Sequence, residues 1–155
     1  MEVDRNGLEV LGRDECLRLL ATATIGRVGL SSAALPSVLP VNFRLVGDRV
    51  LFRTGRGSKL DAATRNAVVA FEVDDFDLMD HTGWSVVVVG VARDMTDDEV
   101  AELDARDRVR VARWVPGPDD RMVAVFCELV SGRRIVPGLS SDQPALTPAN
   151  GKVRT

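Results

Sequence analysis

The sequence predicts a mainly β fold: a small antiparallel barrel of about six strands with peripheral helices. Three observations carry that expectation. Leu39, Val41, Phe43 and Leu45 alternate with other residues, and Val50 and Phe52 do so again, the period of half-buried strands. The runs are joined mostly by short turns, and Gly47-Asp48 has the glycine-first pattern of a type II′ hairpin. Gly83 to Met95 (GWSVVVVGVARDM) is apolar at consecutive positions, which predicts a strand covered on both faces, by the barrel core on one and by a helix or a second subunit on the other.

The elements follow in order. Cys16, Leu17, Leu19 and Leu20 stand at near-helical spacing in Arg13–Thr22, with acids in the first turn where the helix dipole favours them. Ile25 to Ser31 is a first strand whose Gly26 and Gly29 permit a bend or a close neighbour. The hairpin from Pro36 to Thr54 follows. Ser58 to Asn66 is a helix of about two turns with Leu60 and Ala63 inward, and Ala67–Val73 is the next strand. Asp74-Asp75-Phe76-Asp77 reads as a solvated acidic bend. Asp97 to Arg110 is a charged helix capped by Thr96, with Val100 and Leu103 inward. Met122 to Val130 is the last long strand, extended through Gly132 to Val136. One domain over residues 1–136 and a loosely held tail over 137–155 are expected, since the tail is rich in proline, glycine and serine without apolar periodicity.

Composition bounds the function. The chain has 155 residues, 45% hydrophobic and 28% charged, as in an ordinary globular domain. Its net charge of −3 gives no general attraction to nucleic acid or to an anionic membrane, so any phosphate affinity is local. The longest apolar run is too short to span a bilayer, the N-terminus resembles no targeting peptide, and a cytoplasmic protein is expected. Cys16 and Cys127 read as buried free thiols, with a disulfide left open. One histidine and two distant cysteines form no metal-ligand spacing.

The richest chemistry lies after the hairpin. Thr54-Gly55-Arg56-Gly57-Ser58-Lys59, preceded by Arg53, brings hydroxyls, flexible backbone and cations to a helix N-terminus, a recipe for holding a phosphate. Arg56 alone is equally consistent with a solvent-facing residue. Asn42, polar on an otherwise apolar strand, either satisfies a backbone group or contacts a ligand. Trp84 reads as core, interface or ligand contact; Trp114, on a Pro/Gly turn, as interface packing; His81 as a surface residue; and Glu72 as an ion-pair partner for an arginine such as Arg27.

Taken together, these segments resemble the pyridoxamine 5′-phosphate oxidase-like family of split β-barrel flavoproteins, and most closely its actinobacterial FMN-binding members. The resemblance rests on Ile25-Gly26-Arg27-Val28, on Pro36 through Asn42, and on Phe52-Arg53-Thr54 with Gly57-Ser58-Lys59. Ala70 through Asp74 and Thr82 through Val88 complete it. It implies a six-stranded antiparallel split β-barrel that dimerises with FMN at the subunit interface. Pro40, Val41 and Asn42 then lie along the flavin ring, and Arg53, Thr54, Ser58 and Lys59 near the ribityl phosphate. Trp84 and Ser85 approach from the dimer interface. The resemblance implies an FMN-dependent oxidoreductase; a non-catalytic flavin-binding or sensor protein, or a deazaflavin- or haem-binding relative, are the alternatives. The C-terminal SSDQPALTPANGKVRT lacks the Trp-, Arg- and His-rich segment by which true pyridoxamine phosphate oxidases grip their substrate, which speaks against vitamin B6 oxidation.

Overall fold

A computed structural model of the chain describes residues 1–32, 34–58, 60–61, 64–107 and 120–136. Strands β1 (Glu2–Val3) and β2 (Glu9–Leu11) precede helix α1 (Arg13–Thr22). Next come β3 (Ile25–Ser32), β4 (Leu35–Val46), β5 (Arg49–Gly55), β6 (Ala67–Asp77) and β7 (Thr82–Asp94). Helix α2 (Asp97–Asp107), β8 (Asp120–Phe126) and β9 (Leu129–Ile135) complete the order. The sheet runs β1-β2-β9-β7-β6-β3-β4-β5-β8, and a further pairing of β7 with β8 closes six of these strands into an antiparallel barrel.

The closure depends on β7 changing partners. Residues Gly83 to Val89 pair with β9, and Ala92 to Asp94 pair with β8. Gly90 sits at the changeover, where a Cβ would lie 1.7 Å from the Phe126 carbonyl oxygen, so only glycine lets the two backbones meet. The predicted final strand is accordingly two, because the chain breaks at Cys127-Glu128 to pass from β8 to β9.

The barrel core holds Phe43, Phe52 and Phe71 with Val28, Val50, Val69, Val86, Val88 and Val123. Phe43 and Phe71 meet edge to face at 4.7 Å, a geometry favoured by the ring quadrupoles. Leu19 and Leu20 bring α1 onto the same core, and Cys16 packs where a Cβ at position 132 would stand, 2.6 Å from its Sγ. A second cluster of Leu51, Met122, Ala124, Met95 and Leu103 lies between β5, β8 and α2. Thr96 caps α2 reciprocally: the Glu99 N–H donates to Thr96 Oγ1 and the Thr96 N–H to Glu99 Oε2.

Within one chain the strands with both faces covered are β5 and β8, under α2. Along β7 burial alternates, with Val86 and Val88 in the core and Val87, Val89 and Val91 half-buried on the outer face. The acidic stretch Asp74–Asp77 is likewise no bend. It is the last part of β6, paired through Asp77↔Thr82, and the reversal falls at Leu78–His81, where the Asp77 side chain accepts the Met79 and Asp80 N–H groups. His81 is exposed and Gly47 has φ +62, as a type II′ hairpin asks. Asn66 takes up a left-handed conformation (φ 53) before β6 begins.

Candidate ligand site

Two groups of the expected site residues fall on different parts of the barrel. The first is a corner formed by β4, β5 and the turn after β5. Val41 turns into the core, while Pro40 is exposed and Asn42 half-buried on the outer side. They pair with Arg27, Gly26 and Ile25 of β3. Asn42 precedes Phe43 and Arg53 follows Phe52, so both lie next to the Phe43↔Phe52 pair at the end of the β4–β5 ladder. Thr54 is buried, and its Oγ1 lies 2.9 Å from Ser58 Oγ.

Ser58 opens a helical turn. Its hydroxyl accepts the Asp61 N–H at 3.0 Å, and the Thr64 N–H bonds to the Leu60 carbonyl. Gly57 has φ +74 with open space where a side chain would be. Arg53 is half-buried, Arg56 is exposed, and neither makes an ion pair among the described residues. Lys59 and Trp114 lie outside the described residues.

The same corner holds a further pair of charged groups. Asp61 is buried (1% exposed), and its Oδ2 accepts the Gly57 N–H at 2.8 Å and Arg65 Nη2 at 3.1 Å. Arg121 of β8, also buried, faces Asp61 Oδ1 with its Nε at 2.5 Å and pairs with Asp94 at the end of β7. Burial alone would raise the Asp61 carboxyl, but the Gly57 N–H, Arg65 and Arg121 together hold it below its usual range. The signal was present in the sequence: Ser58-x-x-Asp61 is a capping-box spacing, with the carboxylate reaching back to the Gly57 N–H. Arg121 carried no such local mark, because it meets Asp61 only through the pairing of β5 with β8.

The second group sits on β7. Trp84 pairs with Asp75 of β6 and Arg134 of β9, and Ser85 with Asp74 and Arg133. Trp84 packs on the edge of the core and lines a cleft of about 820 Å³ together with Phe76, Thr82, Gly83, Arg134 and Ile135. Arg134 is held by Glu9 and by a short contact to Glu15. Hydrogen bonds from Arg18 and Arg134 bring the Glu15 pKa down to about 2. Strands β6 and β3 separate Trp84 and Ser85 from the first corner, so one chain does not bring the two groups together. Between them, Arg27 is paired with Glu72 at 3.0 Å and with Asp74 at 2.6 Å, as expected for Glu72.

The outer face of these strands carries an apolar row. The register aligns Val38, Gly29, Ala70, Val89 and Leu129 across β4, β3, β6, β7 and β9, and Val38 and Leu129 are 67% and 69% exposed.

A closed six-stranded antiparallel barrel with three added strands is the architecture of the split-barrel proteins. The sequence pattern described as pyridoxamine 5′-phosphate oxidase matches residues 12–134, and the chain belongs to that family. It is 44% identical over 131 residues to the uncharacterized protein Rv0080 of Mycobacterium tuberculosis, covering 81% of this chain and 84% of that protein. Among solved structures it is similar to the FAD binding protein of Mycobacterium smegmatis, with 35% identity and a TM-score of 0.68, covering 81% of this chain and 95% of that one. A conserved protein of unknown function from Corynebacterium diphtheriae is 30% identical with a TM-score of 0.67, covering 84% and 99%.

Proposed function

We propose that this chain is a homodimeric flavin-binding protein that works as an oxidoreductase. The observation that carries the reading is the corner after β5. There Arg53 and Arg56 make no ion pair among the described residues and stand beside an open Gly57 and the serine-capped turn. A phosphate fits that donor set, with Lys59 the expected further cation. The carboxylate in the corner does not oppose it, because Asp61 is neutralised by Arg121 and Arg65.

In this reading Pro40, Val41 and Asn42 flank the ring, while Arg53, Thr54, Ser58 and Lys59 receive the phosphate. Trp84 and Ser85 reach the ring from a second copy, which accounts for their distance from the corner within one chain. The apolar row from Val38 to Leu129 supplies a face of the kind that copies bury. When bound, the flavin supplies the hydride or electron chemistry, and the chain's task is to hold and orient it. FMN matches a site with one phosphate cradle. FAD is the second reading, favoured by the 35% identical FAD binding protein of M. smegmatis.

The test is the chromophore that co-purifies, identified after release, followed by titration with FMN, FAD and a deazaflavin. A flavin absorbance supports the proposal, a Soret band selects haem, and a colourless protein that takes up no flavin sinks it. Reduction of the bound flavin by nicotinamide or deazaflavin donors separates an oxidoreductase from a protein that merely stores or senses it.

A further inference from the structure

Asp61 is the only buried carboxylate among the described residues. An anion at the mouth of a phosphate site is a liability unless its charge is spent, and here it is spent internally. One carboxylate oxygen takes the Gly57 N–H at 2.8 Å and Arg65 at 3.1 Å, while the other faces Arg121. Arg121 Nη2 also donates to the Asp61 carbonyl at 3.3 Å, and the same guanidinium pairs with Asp94. Two carboxylates and two guanidiniums thus balance within one cluster.

Its placement matters as much as its charge. Asp94 ends the short segment where β7 meets β8, and Arg121 belongs to the β8 stretch paired with Thr54. One guanidinium therefore joins the seam of the barrel to the turn between β5 and the serine-capped helical turn. Gly57, held in its φ +74 conformation by the Asp61 carboxylate, lies between Arg56 and Ser58. Free to move, this turn would spread those donors apart and ordering them would weigh against binding.

We propose that Asp61, locked by Arg121, is a positioning residue that fixes the Gly55–Ser58 turn so that Arg53, Arg56 and Ser58 converge on the ligand's phosphate. The inference rests on the flavin reading above and adds that the phosphate, rather than the ring, is what Asp61 controls.

The experiment compares FMN with riboflavin, which has the same ring without the phosphate, by fluorescence titration of the full chain. It uses the wild type, Asp61→Asn, and Asp61→Asn/Arg121→Gln, which leaves no unpaired buried cation, each checked for folding by circular dichroism. The expected result is a loss of at least tenfold in FMN affinity with riboflavin affinity changed less than twofold. A change that only loosened the barrel would weaken both ligands together. A folded variant that keeps the wild-type FMN-to-riboflavin ratio overturns the inference. Failure of both variants to fold overturns it as well, because the cluster would then serve the barrel and not the turn. If the wild type binds neither ligand, the flavin reading itself fails; if it prefers FMN and the variants do too, only the role of Asp61 fails.

Discussion

Replacing Gly90 with alanine tests the closure of the barrel. The new methyl would stand 1.7 Å from the Phe126 carbonyl oxygen and 2.9 Å from its carbonyl carbon. Ordinary contact begins near 3.4 Å, so β7 and the β8–β9 corner must part by more than 1 Å, and both offending atoms are backbone. Overpacking of this kind costs about 1–3 kcal/mol. The retreat also pulls on Ala92↔Val125, Arg93↔Ala124 and Asp94↔Val123, the three register pairs that join β7 to β8. Losing one or two of their hydrogen bonds adds about 1–2 kcal/mol, while the stiffer unfolded chain returns about 0.4–1 kcal/mol. The net expectation is a loss of about 1–4.5 kcal/mol, which for a chain of this length lowers Tm by roughly 2–18 °C. Thermal unfolding followed by circular dichroism reads it, with Gly12→Ala as the control because a Cβ there meets nothing within 4 Å. A Gly90→Ala protein that melts as high as the wild type or higher would refute the crossing as described.

Acid should weaken the fold through carboxylates held by arginine. Hydrogen bonds from Arg93 and from the Thr96 N–H hold Glu99 at about 2 against the usual 4.5. Its folded value lies below its unfolded one, so the stabilisation is complete above 4.5 and is lost as pH falls through about 2; Glu15 behaves alike. Melting temperature measured from neutral pH down to this range should fall less steeply in Glu99→Gln, and an unchanged profile would contradict the pairing. Burial pushes the Cys127 thiol up to about 11 and raises that of Cys16, so both free thiols should resist a thiol reagent in the native protein and react once it is denatured. Rapid native labelling would show one of them accessible. At the ligand corner, Lys59→Ala and Arg53→Ala should each cost about 1.5–3 kcal/mol of FMN affinity, the scale of a charge-assisted hydrogen bond, and an unchanged Kd would remove that residue from the phosphate site.

Much of the barrel was legible residue by residue, because alternation along a strand is a local property. The hairpin at Gly47, the strands from Ile25, Leu35, Arg49 and Ala67, and the Thr96 cap all follow from neighbours in sequence. The Arg27–Glu72 pair was also foreseeable, since both residues fall on the outward faces of strands. The split of the final strand was not: Cys127-Glu128 carries no turn signal, and the break follows from β7 needing a different partner on each side of Gly90.

What the sequence by itself determined is the β character of the chain, its barrel class and the cationic turn from Arg53 to Lys59. Each of these is written in periodicity or in contiguous residues. Only the tertiary structure decided that α2 covers β5 and β8, that Trp84 and Ser85 stand apart from the corner, and that Asp61 is locked by Arg121 across 60 positions of chain. Those facts depend on strand order and register, which put residues distant in sequence side by side, and local pattern does not encode them.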